Sequence, residues 1–271
     1  MSLADRLADA AAAFGNRRRT GPVDPRAERL MHRCLDMRQR LRDQADPAAR
    51  AFLVHAMAHL GASRAQLFQD TLPLHVLGAP RGGFFVEFGA TDGLSLSNTA
   101  MLEAGFGWRG ILAEPARRWH DALRRNRPGA TIDTDCVWER TGEHLRFAET
   151  AEGELSTLAR FAGGDGHARA RRGAVEYDVP TVSLDDLLRR HDAPKGFAFL
   201  SVDTEGSELA ILSAFDLEGW RPQVVTVEHN YTANRTAIHA RMTGAGYRRV
   251  LEGLSLFDDW YLAPGVTLPQ G

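Results

Sequence analysis

Lysine is almost absent from this chain. Lys195 stands alone among 33 basic residues, and because arginine occupies helix surfaces and loops alike, coding bias accounts for it and no function follows. Cysteine is equally scarce. Cys34 and Cys136 lie far apart, without the spacing of a zinc site or a disulfide framework, which fits a reducing cytoplasm. No stretch approaches the roughly 20 consecutive apolar residues of a membrane span. At the N-terminus Asp5 stands where a secretion signal needs net positive charge, and the alanines at 10–13 are too short a run for its apolar region. Secretion and membrane insertion are therefore not expected. Charge of either sign is not in excess: 33 basic against 35 acidic residues leave a net charge of -2, so nucleic acid is not an expected partner.

What is present is an ordinary globular composition, with 271 residues sufficient to bury a substantial core. Residues 1–80 read as a helical extension. Leu30, Cys34, Leu35 and Leu41 recur at helical spacing, as do Phe52, Leu53, Met57 and Leu60 after Pro47. His55 and His59 are four apart on that second helix and could share a metal, although such pairs are more often solvated or core-edge residues. From Gly82 the period changes. Phe84 to Phe88, Gly110 to Ala113, Phe197 to Val202 and Val224 to Glu228 are short apolar runs, each ending in or leading to an acid, which is the pattern of buried parallel strands with helical crossovers. Tyr247 to Leu251 and Trp260 to Leu262 read as two closing strands. The division expected is an extension over 1–80 and a ligand-binding α/β domain over 81–271, interrupted at 149–174. That interruption, with its glycines at 163–166 and Arg169, Arg171 and Arg172, reads equally as a lid or as a solvated insertion.

Ligands in an open α/β sheet bind beyond the carboxyl ends of the strands. After the first strand comes Glu87-Phe88-Gly89-Ala90-Thr91-Asp92-Gly93. Gly89 and Gly93 permit a tight turn and close approach of a ligand, while Glu87 and Asp92 supply anionic acceptors. A dinucleotide's pyrophosphate normally sits on G-x-G-x-x-G at a helix N-terminus. Carboxylates there would repel a diphosphate and suit the ammonium and sulfonium charges of S-adenosylmethionine. About twenty residues on, the second strand ends at Glu114, where a carboxylate can accept hydrogen bonds from a ribose diol. The third strand, Thr131 to Val137, carries Asp135 and Cys136, which could edge an adenine.

These segments resemble the FkbM family of methyltransferases. The resemblance runs over about 63–262 and is carried by Val86 to Gly93, Trp108 to Pro115, Leu200 to Glu208 and Val227 to Asn230; Gln69-Asp70 also looks like a family element, expected to close over the cofactor. It implies a class I, Rossmann-like sheet of seven strands, mainly parallel with the last antiparallel, and O-methylation of a sugar, polyketide or other natural product. Many members carry lysine two residues before the aspartate of the Asp-x-Glu-Gly block. Here that position is Ser201, so no role of such a lysine carries over.

Methyl transfer needs an acceptor oxygen aligned with the methyl group and relieved of its proton, by a positioned base or by a divalent cation. In the class I order Asp203 and Glu228 end neighbouring strands about 4.8 Å apart, so their carboxylates can converge; Glu205 is close, and His229 adds an imidazole. Oxygen ligands with one imidazole suit Mg²⁺ or Mn²⁺. The metal set expected is Asp203, Glu228 and His229; without a metal, His229 is the first choice of base, beside Asp203 and Glu205. A bland alternative stays open, in which Glu205 starts a helix and Glu228, His229 and Asn230 hold a loop. Two other readings compete: a nicotinamide-dependent oxidoreductase, disfavoured by the missing glycine fingerprint, and a non-catalytic nucleoside-binding scaffold. The acceptor is a small molecule or glycan that the sequence does not name, and a homo-oligomer is left open.

Overall fold

The computed structural model describes residues 25–151, 153, 156–161 and 173–270. Two helices, Pro25–Asp43 and Pro47–Ala58, open it. The second starts where Asp46 accepts the Ala48 N–H at 3.0 Å and Pro47 sets the first turn, the chemistry that favours a helix N-terminus. A single turn at Gln69–Thr71 and a short helix, Leu72–Leu77, lead into the sheet.

The strands then follow as β1 (Phe84–Phe88), β2 (Arg109–Ala113), β3 (Thr131–Asp133), β4 (Cys136–Trp138), β5 (His144–Glu149), β6 (Thr157–Leu158), β7 (Val175–Ser183), β8 (Phe199–Val202), β9 (Val224–Glu228), β10 (Arg248–Val250) and β11 (Asp258–Leu262). Seven form one sheet in the order β10-β11-β9-β8-β1-β2-β3. The strands β3, β2, β1, β8 and β9 pair in parallel, while β11 runs antiparallel to both of its neighbours. This is the expected class I sheet. Its last strand lies inside the sheet rather than at the edge, because a hairpin from β10 inserts β11 beside β9.

Each strand's period of two sorts its residues onto two faces. Val86, Phe88, Leu200, Val202, Val225 and Val227 pack into one core with Leu187, Leu212 and Met242. Phe85, Phe199, Val224, Trp260 and Leu262 face the other, which the N-terminal helices cover with Met37, Phe52 and Leu53. Glu87, Ser201, Thr226, Glu228 and Asp258 share parity with this second set and are all buried. The covered face thus changes from apolar to polar toward the carboxyl ends of the strands.

Two expectations need correction. The run Thr131 to Val137 is two strands in different sheets. Asp133 ends β3 by accepting from Asp135 N–H at 2.9 Å and from Arg190 and His191, each at 2.8 Å, which redirects the chain into a second, four-stranded sheet ordered β4-β7-β5-β6. Within the expected interruption at 149–174 that sheet places β6 and the last residue of β5, Glu149, and its other strands lie on either side. Its signal was the alternation Val175, Tyr177, Val179, Thr181, a strand pattern. The glycines at 163–166 and Arg169, Arg171 and Arg172 lie outside the described residues. On the first helix, Leu30, Cys34 and Leu35 are exposed and only Leu41 of that set reaches the core, because Met37 marks the buried face. Among the described residues no helix is long and apolar enough to cross a membrane.

Phe52 joins helix to sheet, with its ring edge-on to Trp260 at 5.4 Å and to His75 at 5.7 Å. Replacing it by alanine is expected to cost about 3–5 kcal/mol, a transfer loss plus a cavity, read as a lowered urea midpoint at unchanged slope.

Candidate active site

The turn after β1 is held by the protein itself. Gly89 has φ 77°, and a Cβ there would lie 1.9 Å from the Asp203 carbonyl oxygen; at Gly93, φ 79°, a Cβ would lie 2.6 Å from Arg127 Cγ. Both positions therefore need glycine for left-handed backbone and for close packing of neighbouring elements. Thr91 also has positive φ, and its N–H donates to Glu114 Oε2 at 2.7 Å while the Ala116 N–H donates to Oε1 at 2.7 Å. Glu114 is buried, and desolvation pushes its carboxyl up to about 7 despite those two bonds.

Glu87 is engaged through both of its oxygens. Its Oε1 accepts the Asn98 N–H at 2.7 Å, and its Oε2 accepts the Ser97 and Thr99 hydroxyls. Arg127, 2 % exposed as a side chain, lies 3.9 Å from Glu87 and 2.6 Å from Glu103, and it also donates to the Gly93 carbonyl, Ser97 Oγ and Thr99 Oγ1. The acid thus shapes the 97–99 turn. The same turn leaves Asn98 with its Nδ2 on Ser201 Oγ at 2.9 Å and its Oδ1 buried without a hydrogen-bond partner.

One cavity of about 360 Å³ runs along the strand ends. Glu87, Gly89, Ala90, Thr91, Asn98, Glu114, Cys136, Ser201, Asp203, Glu205 and Glu228 line it, together with Phe147, Gly153, Ser156 and Leu158 from the second sheet. Asp92, Gly93, Asp135, Gln69 and His229 of the expected set stand outside the lining. Asp92 caps its own turn, accepting from the N–H groups of Leu94 and Ser95 at 2.8 and 2.7 Å. Asp135 is paired with Arg190 at 2.8 Å. Gln69 is buried behind the site, taking the Leu67 N–H and donating to Asp258 Oδ2 at 2.8 Å; Gln66 lines the cavity instead. Cys136 is at the wall with its thiol pushed up by burial to about 12, hence un-ionised.

Asp203, Glu205 and Glu228 each bring an oxygen within 4.8 Å of the others. Burial raises both Asp203 and Glu228; the nearby Glu208 and Glu87 raise Asp203 further while its hydrogen bond with Glu228 lowers it, and Asp203, Glu205 and Glu208 raise Glu228, so of this hydrogen-bonded pair Glu228 is the one favoured to carry a proton. His229 stands apart from this group. Its Nδ1 accepts the Tyr231 N–H at 3.0 Å, and its Nε2, without a hydrogen-bond partner, lies 3.8 Å from Asp259 Oδ1; burial lowers its pKa. A side pocket lined by Phe161, Glu205, Glu228, His229, Asn230 and Asn234 adjoins the cavity. Asn98 and the second-sheet residues were not reached from sequence. Asn98 has no motif, and the β5 and β6 contributions depend on a sheet the α/β pattern does not announce.

A parallel sheet with one antiparallel strand inside it, and a cavity across the ends of β1, β2, β8 and β9, define a class I, Rossmann-like methyltransferase fold. A family model described as the methyltransferase FkbM domain matches residues 87–259, and the chain belongs to that family. Among curated proteins none matches it. Of solved structures, it is similar to an FkbM methyltransferase from Methylobacillus flagellatus, with 17% identity, 93% of this chain and 65% of that chain covered, and a TM-score of 0.45. An O-methyltransferase from Bacillus cereus in complex with SAH shares 15% identity over 81% of this chain and 92% of that one, at a TM-score of 0.39. CalS11, a TDP-rhamnose 3'-O-methyltransferase of calicheamicin biosynthesis, shares 14% over 92% and 100%, at 0.40. The chain thus spans about two thirds, 65%, of the length of the Methylobacillus protein.

Two measurements check this electrostatic arrangement. Arg127→Met leaves Glu87 and Glu103 without their buried partner and is expected to cost about 3–5 kcal/mol in urea unfolding. Asp258 is pushed up to about 7 by burial and the nearby Asp203 charge; a carboxyl raised in the folded state holds a proton there that the unfolded chain releases, so its contribution is present at low pH and is lost as pH rises through about 4 to 7. Asp258→Asn, which mimics the protonated form, should therefore gain stability relative to the native chain across that window, at a slope approaching about 1.4 kcal/mol per pH unit.

Proposed function

We propose that the chain is an S-adenosylmethionine-dependent O-methyltransferase acting on a hydroxyl of a sugar, glycan or other natural product. The carrying observation is the pairing of two features along one cavity: a buried carboxylate, Glu114, oriented by two backbone N–H groups, and the orphaned Oδ1 of Asn98. Glu114 offers its remaining lone pairs to a ribose diol. Asn98 Oδ1, buried and unpaired, calls for a donor, and an α-ammonium group is one; this takes the role first assigned to Glu87. Phe147, Leu158 and Cys136 supply apolar surface for a purine. The residues fit the cofactor.

Bound adenosylmethionine would supply an electrophilic methyl group. Asp203 stands at the cavity next to the glycine turn and, because Glu228 holds the pair's proton, is the carboxylate that can take the proton from an acceptor hydroxyl. An acceptor oxygen relieved of its proton by Asp203 would be the nucleophile for that methyl group. Asn230 and Asn234 in the side pocket offer hydrogen bonds to further hydroxyls. A second reading is favoured by the convergence of Asp203, Glu205 and Glu228: Mg²⁺ or Mn²⁺ held there would acidify the acceptor hydroxyl and neutralise the acids. His229, turned toward Asp259, serves neither version directly. The helices Pro25–Asp43, Pro47–Ala58 and Leu72–Leu77 are taken as an extension to a catalytic domain over 81–271, residues 1–24 of the expected extension lying outside the described residues, and a cytoplasmic setting is inferred from two cysteines that form no disulfide.

Calorimetry with adenosylmethionine should show saturable binding, weakened roughly tenfold or more in Glu114→Gln and Asn98→Ala, the loss of about 1.4 kcal/mol or more that one charged or buried hydrogen bond carries. NADH should not bind; tight NADH binding would overturn the reading. With a glycan and natural-product acceptor panel, Asp203→Asn should retain cofactor binding and lose turnover. Full turnover in EDTA would eliminate the metal version.

A further inference from the structure

The covered face of the sheet holds a second group of convergent side chains, remote from the cavity in sequence and unused by methyl transfer. His55 in the last turn of helix Pro47–Ala58 and His59 at its C-cap have ring centres 4.9 Å apart, and His75, from helix Leu72–Leu77, lies 5.1 Å from His55. The Nε2 atoms of His55 and His75 are both buried without a hydrogen-bond partner, and leaving such atoms unsatisfied is costly. Phe52 meets His75 edge-on and Phe106 meets His59, each at 5.7 Å, so aromatic rings border the histidines.

We infer that His55 and His75, joined by His59, form a binding site for a transition-metal dication of the Zn²⁺ or Ni²⁺ class that ties the N-terminal helices to the segment entering the sheet. Two imidazoles on one tetrahedral ion, with metal–nitrogen bonds near 2.0–2.1 Å, hold their ring centres about 5 Å apart, which is the separation in both pairs here. A histidine pair at i and i+4 is also the helical spacing by which two imidazoles grip one ion. Carboxylates, not imidazoles, make up the group whose ligand atoms already converge among the described residues, so His59 must turn toward the other two on binding. Its half-buried position leaves the remaining coordination to water. Imidazole ligation of this kind selects zinc, nickel or copper over magnesium, which separates the site chemically from the carboxylates at Asp203. The inference does not depend on the cofactor reading.

Zinc alone, titrated into the full chain free of any histidine tag against a chromophoric chelator, should be taken up in one equivalent and should raise the melting temperature reversibly with EDTA. His55→Gln and His75→Gln should each weaken zinc roughly tenfold or more, while Asp203→Asn leaves zinc affinity unchanged. Cobalt in place of zinc should give the visible absorption of a nitrogen-ligated ion, lost in the same variants. Because His75 packs on Phe52, far-UV circular dichroism accompanies each variant; if both fail to fold, His59→Gln, at the more open position, decides in the same way. Absence of saturable zinc uptake, or uptake insensitive to the histidine changes and abolished by Asp203→Asn, would overturn the proposal.

Discussion

The guanidinium of Arg127, almost wholly removed from water, is tied to Glu103 on one side and approaches Glu87 on the other, while its remaining N–H groups reach Gly93, Ser97 and Thr99. An unpaired buried charge costs several kcal/mol, so each of these groups is constrained to stay where the others put it. The consequence reaches the cavity. Glu87, neutralised from behind, organises the 97–99 turn; that turn presents Asn98 Oδ1, and the turn opposite presents the Thr91 N–H to Glu114. The groups that would meet a ligand are thus positioned by ones that do not.

The same face of the sheet explains why the acids cluster. Glu87, Ser201, Thr226, Glu228 and Asp258 alternate with apolar residues directed at the opposite core, so strand pleating alone brings them to one side. Covering that side with helices removes water, and desolvation then raises Glu114, Asp203, Glu228 and Asp258 together. A carboxylate with elevated pKa close to one still ionised is the condition for moving a proton near neutrality.

Much of this was legible in the sequence, for identifiable reasons. Four apolar runs ending in acids are short-range patterns, and β1, β2, β8 and β9 fall where those runs lie. Glu114, the glycine turn and Asp203 follow from position at strand ends. The misreadings share a different cause. Asp92, Asp135 and Gln69 are polar residues in suggestive places whose capacity is spent on Leu94 and Ser95, on Arg190 and on Asp258. Whether an acid faces a ligand or caps its own turn depends on partners up to 189 residues away, which no local pattern encodes.

By itself, the sequence determined the class of fold, the positions of the turns that follow β1 and β2, and the acids at the ends of β8 and β9, because strand periodicity and turn chemistry act over a few residues. Only tertiary structure decided which of those acids converge, that Glu205 rather than His229 joins Asp203 and Glu228, and that a second sheet walls the cavity. It also brought His75 to the pair His55 and His59. Such meetings are products of packing between elements distant in the chain, whose free energy comes from burying whole faces and leaves no trace in the spacing of the residues that meet.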